Sequence, residues 1–288
     1  MFPSRFVFIG HEAEIGGQVR SHGGCCSRIE AARDCSAHRQ ECLCDPCLAR
    51  GMGTRYRTET ATMTSSHPSP LRFALVGMSG AGKSFWTKRL SASGRPSVCC
   101  DDQIEQRLKP RLAAGGFAGI NGVAAWMGWP DSPTYAEREA EYLAEEIAVL
   151  DDALARLEGD RASDLILDTT GSVIHAGNNI LMRLRRQMTV VYLAASAAEQ
   201  QLLIERYLTD PKPVLWRGAF QPKKGETPRE TVARCYPSLI AARRQSYEAL
   251  AHRTIPVAEL QALSHGGFSD ADSAAAFLEK VRPSGDAG

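Results

Sequence analysis

The stretch Gly77-Met78-Ser79-Gly80-Ala81-Gly82-Lys83-Ser84 limits what this 288-residue chain can fold into more than any other feature. Before it, Leu71-Arg72-Phe73-Ala74-Leu75-Val76 reads as a short buried strand; after it, Phe85-Trp86-Thr87-Lys88-Arg89-Leu90 reads as helix. Every fixed position of G-x-x-x-x-G-K-[ST] is filled, and the flanks are the strand and helix that the pattern requires. Glycines let successive backbone N–H groups close round a polyphosphate, and the helix start adds its positive end. On this reading Gly77, Gly80, Ala81, Gly82, Lys83, Ser84 and Phe85 meet ATP. Lys83 reaches the β- and γ-phosphates, and the Ser84 hydroxyl ligates Mg²⁺. The competing reading, a glycine turn with no ligand, leaves the strand and helix on either side without a purpose.

From there the chain alternates. Ser97–Cys100 reads as a second strand, with a helix from about Gln103. Residues 134–158 read as a long acid-rich amphipathic helix whose apolar stripe is Leu143, Ile147, Leu150, Leu154 and Leu157. Leu165–Leu167 is the third strand, ending at Asp168, and a helix near Ile174–Arg186 leads to the fourth, Thr189–Leu193. Helices are expected over Ala197–Leu208, Glu230–His252 and Asp272–Val281, with a fifth strand at Arg253–Val257. This alternation predicts an α/β fold: a five-stranded parallel sheet with helices on both faces, a lid and a small substrate-binding subdomain, over residues 71–284.

The first seventy residues differ. Six of the nine cysteines (Cys25, Cys26, Cys35, Cys42, Cys44, Cys47) crowd into 23 positions, and all seven lysines lie at Lys83 or later. Cys42-x-Cys44-x-x-Cys47, with Cys35 or His38, has the makings of a metal knuckle, but zinc sites are usually built from paired Cys-x-x-Cys units and one pair stands here. The competing reading is a disordered extension, ending in the linker composition Thr60–Pro70, with the working protein starting near Met63.

Charge narrows the partners. With 34 Lys+Arg against 33 Asp+Glu the net charge is +1, which gives no broad attraction to nucleic acid or an anionic membrane. No apolar run approaches the roughly 18 residues of a membrane span. A soluble, cytoplasmic protein that binds ATP and a small molecule is the expectation.

What such a loop serves is read at the ends of the other strands. There stand Asp101-Asp102-Gln103-Ile104-Glu105, then Asp168-Thr169-Thr170-Gly171-Ser172, then Lys212-Pro213-Val214-Leu215 and Arg243-Arg244-Gln245-Ser246-Tyr247. This ordered set, together with the P-loop, resembles the shikimate kinase family of small P-loop kinases over residues 71–257. The resemblance implies ATP- and Mg²⁺-dependent phosphoryl transfer to a metabolite hydroxyl, with shikimate the leading named acceptor. It makes Asp101 the carboxylate that orients and deprotonates that hydroxyl, with Asp102 beside it on the substrate side. Gly171 becomes part of a substrate-facing turn, Arg243 a cation for a substrate carboxylate, and Lys212 the counterpart of a lid arginine near ATP. The basic, Gly-rich segment 217–226 would suit a mobile lid.

Departures from the family pattern put the acceptor in doubt. Cys99 replaces an acidic residue, Thr169-Thr170-Gly171 replaces a triple glycine, and Tyr135-Ala136 replaces a Phe-Arg pair, with Arg138 nearby. Asp168, ending an apolar strand, is positioned to be the Mg²⁺-side acid in place of the one lost at Cys99. Simpler readings stand beside these. Asp101 and Asp102 would cap a helix, Asp168 would satisfy turn N–H groups, and Arg243 would sit on a solvated helix face with Arg244. Lys223-Lys224 would be a charged loop tip; Trp126, Met127 and Trp129 would pack the subdomain; Cys99 and Cys100 would be core residues. Two other functions remain open: a nucleotide-binding regulatory protein without efficient transfer, and a nucleoside monophosphate kinase-like enzyme.

Overall fold

The computed structural model describes residues 70–265 and 269–281; the cysteine-rich leader, with both readings of it, lies outside them. In chain order the elements are β1 (Arg72–Val76), α1 (Lys83–Ser91), β2 (Ser97–Cys99), α2 (Cys100–Ala114), α3 (Gly119–Met127), α4 (Tyr135–Gly159), β3 (Leu165–Asp168), a 3₁₀ turn (Val173–His175) and α5 (Asn178–Gln187). Then follow β4 (Thr189–Ala194), α6 (Ala197–Thr209), α7 (Pro228–Leu250), β5 (Arg253–Pro256), α8 (Val257–His265) and α9 (Asp270–Val281).

The strands form one all-parallel sheet in the order β2-β3-β1-β4-β5. Successive side chains point to opposite faces, and both faces are covered, so the inner strands read as unbroken apolar runs. Phe73, Leu75, Ile166, Val191, Leu193 and Ile255 pack with Trp86 and Leu90 of α1 and Phe277 and Leu278 of α9. Ala74, Val76, Leu167, Val190 and Tyr192 face Ile104 and Leu108 of α2, Leu150 and Leu154 of α4, Leu184 of α5 and Leu239 of α7. The acid-rich outer side of α4 is paired, through Glu141, Glu145, Asp151, Asp152 and Glu158, with Arg107 and Arg111 of α2 and Arg183 of α5.

This order sets the site. From β1 the chain leaves for β2 on one side, and later β3 connects across β1 to β4 on the other. The connections therefore diverge beside the carboxyl end of β1, where such sheets open a crevice for ligands. Register puts Asp168 opposite Leu75 of β1 and Cys99 of β2, at that same end.

Several boundaries differ from the sequence reading. Helix α2 starts at Cys100 rather than near Gln103, so β2 stops at Cys99. Helix α7 starts at Pro228 rather than Glu230: Thr227 and Glu230 form a reciprocal capping box and Pro228 takes the first turn, where a missing N–H costs nothing. Helix α9 starts at Asp270. Helices α3 and α8 escaped the sequence reading. Each is nine residues long, too short to show a helical period, and α3 contains two glycines.

Candidate active site

The phosphate loop follows β1 with the backbone its glycines permit. Gly77, Gly80 and Gly82 have φ of 145°, 84° and 93°. A Cβ on Gly77 would lie 2.9 Å from the Leu193 carbonyl of β4, so the residue must be glycine for the loop to leave the sheet as it does. The first N–H groups of α1 have no partner within the helix and face whatever the loop encloses. Lys83 is buried, and its Nζ donates to the carbonyls of Gly77 (3.0 Å) and Met78 (3.1 Å), so the ammonium spans the loop. Ser84 and Phe85 are exposed beside it. A shallow groove of about 60 Å³ adjoins Gly80 and Ala81, walled by Ala195, Leu202, Arg206 and Val257. The sequence reading did not single out these wall residues, which come from the loop after β4, from α6 and from the start of α8.

Two carboxylates stand near Lys83. Asp168 is 2% exposed. Burial pushes its carboxyl above the ordinary range, opposed by the Lys83 charge and by hydrogen bonds from Ser84 and Cys99. One of its oxygens, Oδ2, is buried with no hydrogen-bond partner, which is not what a turn-satisfying aspartate looks like. An unpartnered carboxylate oxygen beside the Ser84 hydroxyl fits the Mg²⁺ expected at a phosphate loop, since that ion takes one or two protein oxygens and completes its shell with phosphates and water. Asp101, in the first turn of α2, is half-buried; burial raises its carboxyl and Lys83 opposes this. Tyr142 of α4, fully buried, donates from its hydroxyl to Asp101 Oδ1 at 3.0 Å. The capping role for Asp101 and Asp102 is corrected: Cys99 occupies the cap position and no side chain caps α2. Asp102 is exposed on the first turn. Cys100 is fully buried, and burial, with carboxylates nearby, pushes the Cys99 thiol up to about 12. Both are therefore neutral core thiols at neutral pH.

The turn after β3 is held from two sides. Arg243 and Tyr247, four residues apart on one face of α7, both donate to the Gly171 carbonyl, Arg243 through Nη1 at 2.9 Å. Arg243 Nη2 donates to the Leu215 carbonyl at 2.5 Å. At 3% exposure Arg243 is not on a solvated face, and that reading is corrected; its Nε remains buried without a partner. A Cβ on Gly171 would sit 3.3 Å from the Ser79 amide nitrogen and 3.5 Å from Arg243, so this turn abuts the phosphate loop. On the opposite side of the turn Thr170 and Ser172 donate from their hydroxyls to the two oxygens of Glu146, a fully buried carboxyl. Burial raises Glu146 to about 7 against the hydrogen bonds that lower it. Glu146 was missed in the sequence because it stands among the many acids of α4. It falls on the buried side of the helix, in step with Tyr142, Val149 and Leu150, and that spacing is the one signal that marks it.

Lys212 is not joined to this cluster. Its ammonium bonds Asn121 of α3 and pairs with Asp210 at 3.0 Å, on the rim of a cavity of about 290 Å³ whose wall includes Met127, Trp129, Tyr207 and Val214. Trp126 and Met127 are buried, as expected of subdomain packing, while Trp129 stays 36% exposed. Arg138 donates to the Trp126 carbonyl and lies over its ring. The segment expected as a lid is tied down at both ends: the Arg217 amide donates to Glu139, and Glu226 accepts from Arg234, Thr231 and the Lys223 amide. Lys223 and Lys224 project from it, exposed.

Sheet, loop and site together define a doubly wound, all-parallel P-loop domain. The chain is similar to solved shikimate kinases. Against the enzyme from Acinetobacter baumannii in complex with shikimate it is 24% identical with a TM-score of 0.46, covering 73% of this chain and 92% of that one. For the Bacteroides thetaiotaomicron enzyme the values are 16%, 0.44, 73% and 97%, and for that of Aquifex aeolicus 18%, 0.41, 73% and 94%. No protein-family model matches the chain, and no curated protein does.

Proposed function

We propose that this chain is an ATP- and Mg²⁺-dependent kinase that moves the γ-phosphoryl group of ATP to the hydroxyl of a small metabolite, with shikimate the first named acceptor to test. One observation carries the reading: a P-loop lysine, a half-buried aspartate and a buried aspartate with an unsatisfied oxygen gather at the carboxyl end of β1. Phosphoryl transfer asks for this arrangement, because it depends on positioning and charge stabilisation more than on covalent help.

In this reading the amides of Gly80 to Ser84 hold the phosphates and Lys83 leaves its loop carbonyls to neutralise the β–γ region. The nucleoside lies along the groove by Ala195 and Arg206. Ser84 and Asp168 hold Mg²⁺, which when bound offsets phosphate charge. Asp101 orients the acceptor hydroxyl and takes its proton as the oxygen attacks the γ-phosphorus and the bond to the bridging oxygen breaks, releasing ADP. The Lys83 charge and, after it, the hydrogen bond from Tyr142 favour the ionised form of Asp101 against its burial.

The test is ADP release from MgATP, measured with shikimate, gluconate and nucleoside monophosphates as acceptors. Acceptor-dependent turnover with one of them supports the proposal and names the class. Nucleotide binding without any acceptor-stimulated turnover would assign the chain instead to nucleotide-binding regulators.

A further inference from the structure

Glu146, Thr170 and Ser172 are all buried, and their side chains make a closed triangle of contacts. Thr170 Oγ1 meets Glu146 Oε1, Ser172 Oγ lies 2.6 Å from Glu146 Oε2, and the two hydroxyl oxygens lie 2.9 Å apart. Each side of the triangle needs a hydrogen. A hydroxyl brings one and an ionised carboxylate brings none, so the ionised form leaves one side empty. With both hydroxyls donating to Glu146, the oxygens of Thr170 and Ser172 face each other across 2.9 Å with no hydrogen between them. The Ser172 amide does not fill that gap, because its hydrogen goes to Thr170 Oγ1 as a separate bond of 3.0 Å. A proton on Glu146 supplies what is missing. The carboxyl then donates to one hydroxyl, that hydroxyl to the other, and the second to the remaining carboxyl oxygen, and the ring closes in either sense.

This ring grips the residues on either side of Gly171. The Gly171 carbonyl is held by Arg243 and Tyr247, and the residue packs against the Ser79 amide of the phosphate loop. Loop and turn are thus fixed through one short stretch of chain. The groups that face Glu146 are Cys100 and Asp101 from α2, Tyr142 from its own helix, and Arg243 and Tyr247 from α7. Burial pushes the Cys100 thiol and both tyrosines up, so they are neutral at physiological pH. That leaves Asp101 disfavouring charge on Glu146 and Arg243 favouring it. Burial outweighs the hydroxyl bonds and raises the carboxyl to about 7, so both of its forms are populated near neutrality.

We propose that Glu146 is a positioning residue for the phosphate loop: its proton closes the hydroxyl ring that fixes the Gly171 turn against Ser79, and nucleotide binding therefore favours the protonated carboxyl. The inference rests on the kinase reading for the nucleotide, but the ring itself is testable without one.

Glutamine carries the third hydrogen permanently on Nε2, so Glu146→Gln keeps the ring closed at every pH. In the full chain made with isotope-labelled glycine, the Gly171 amide signal is followed by NMR and assigned with Gly171→Ala. It should titrate in the parent with a midpoint of about 7 and stay still over that range in Glu146→Gln. Calorimetric affinity for Mg²⁺ and a non-hydrolysable ATP analogue should fall in the parent by roughly fivefold between about pH 6 and about pH 8.5, the worth of one net hydrogen bond. That fall is read relative to Glu146→Gln, which shares the titration of the nucleotide itself. A buried carboxylate with a merely structural role would not move this slope. A Gly171 signal that titrates alike in parent and variant, or affinities that run parallel with pH, overturns the proposal. Failure of the parent chain to bind the analogue at any pH would instead sink the kinase reading, with the Gly171 titration still deciding the ring.

Discussion

Lys83 spends two of its three hydrogen-bond donors inside the loop that it serves, bridging the carbonyls of Gly77 and Met78. Removing the ammonium takes away a phosphate cation and little packing. Lys83→Ala is therefore expected to lower kcat by roughly 10²-fold or more, by analogy with loss of a single charge-stabilising donor, with an unfolding midpoint close to that of the parent chain. Denaturant titration beside the ADP assay checks both halves. Asp101 and Tyr142 lend themselves to a pH experiment. Burial raises Asp101, so the acid side of the rate profile should fall off at a pH above the ordinary aspartate range, where the carboxylate takes up its proton. The Tyr142 hydroxyl opposes that shift, and Tyr142→Phe should move the acid limb to still higher pH. An unmoved limb in the variant would remove Tyr142 from the mechanism. Asp101→Asn should depress turnover far more than it weakens nucleotide binding, and equal losses would count against its place beside the acceptor.

Helix α7 shows how spacing becomes a brace. Arg243 and Tyr247 lie one turn apart and converge on one carbonyl, which holds the turn of Gly171 against the phosphate loop. A methyl group at 171 must push the Ser79 backbone aside by a few tenths of an ångström and would touch Arg243. Gly171→Ala is thus expected to weaken nucleotide binding and transfer together, a loss readable by calorimetry with the ATP analogue, while the buried sheet stays intact. The same helix begins at a capping box, and Thr227→Ala should cost about 1 kcal/mol in urea unfolding through the lost side-chain bond to the Glu230 amide.

Stability of the molecule as a whole should carry the mark of Glu146. Its pKa rises from 4.5 to about 7 on folding, so the folded state favours the protonated acid. The associated stability is fully present below the unfolded value and is lost as pH climbs through the folded one. His175, lowered to about 4 from 6.5, works in the opposite sense and costs stability as pH falls. A bare stability profile mixes the two. The difference between the parent chain and Glu146→Gln isolates the first: the variant should gain on the parent between about pH 4.5 and pH 7, by an amount on the order of a few kcal/mol, measured by chemical denaturation at fixed pH values. Loss of that slope would mean that Glu146 stays ionised in its network of hydroxyls.

The parts of this protein that depend on near neighbours in the chain were legible in the sequence. Gly77 to Ser84 announce the loop because each glycine answers a local backbone demand, and the apolar runs at 72–76, 165–167 and 189–193 announce strands buried on both faces. Helix α3 was not legible because nine residues show no period, and Glu146 was hidden because its neighbours in α4 are equally acidic. Sequence alone determined the phosphate loop, the alternation of strand and helix and hence the doubly wound class, since these follow from local sterics and from the period of apolar residues. Only the tertiary structure decided which cations are already engaged: Arg243 by Gly171 and Leu215, Arg138 by Trp126, Lys212 by Asn121 and Asp210. It alone left the Arg217 guanidinium exposed while the backbone amide of the same residue is held by Glu139. Charge pairing is settled by what folding brings within about 3 Å, and apart from Asp210, next but one to Lys212, those partners stand 12 to 91 residues away along the chain.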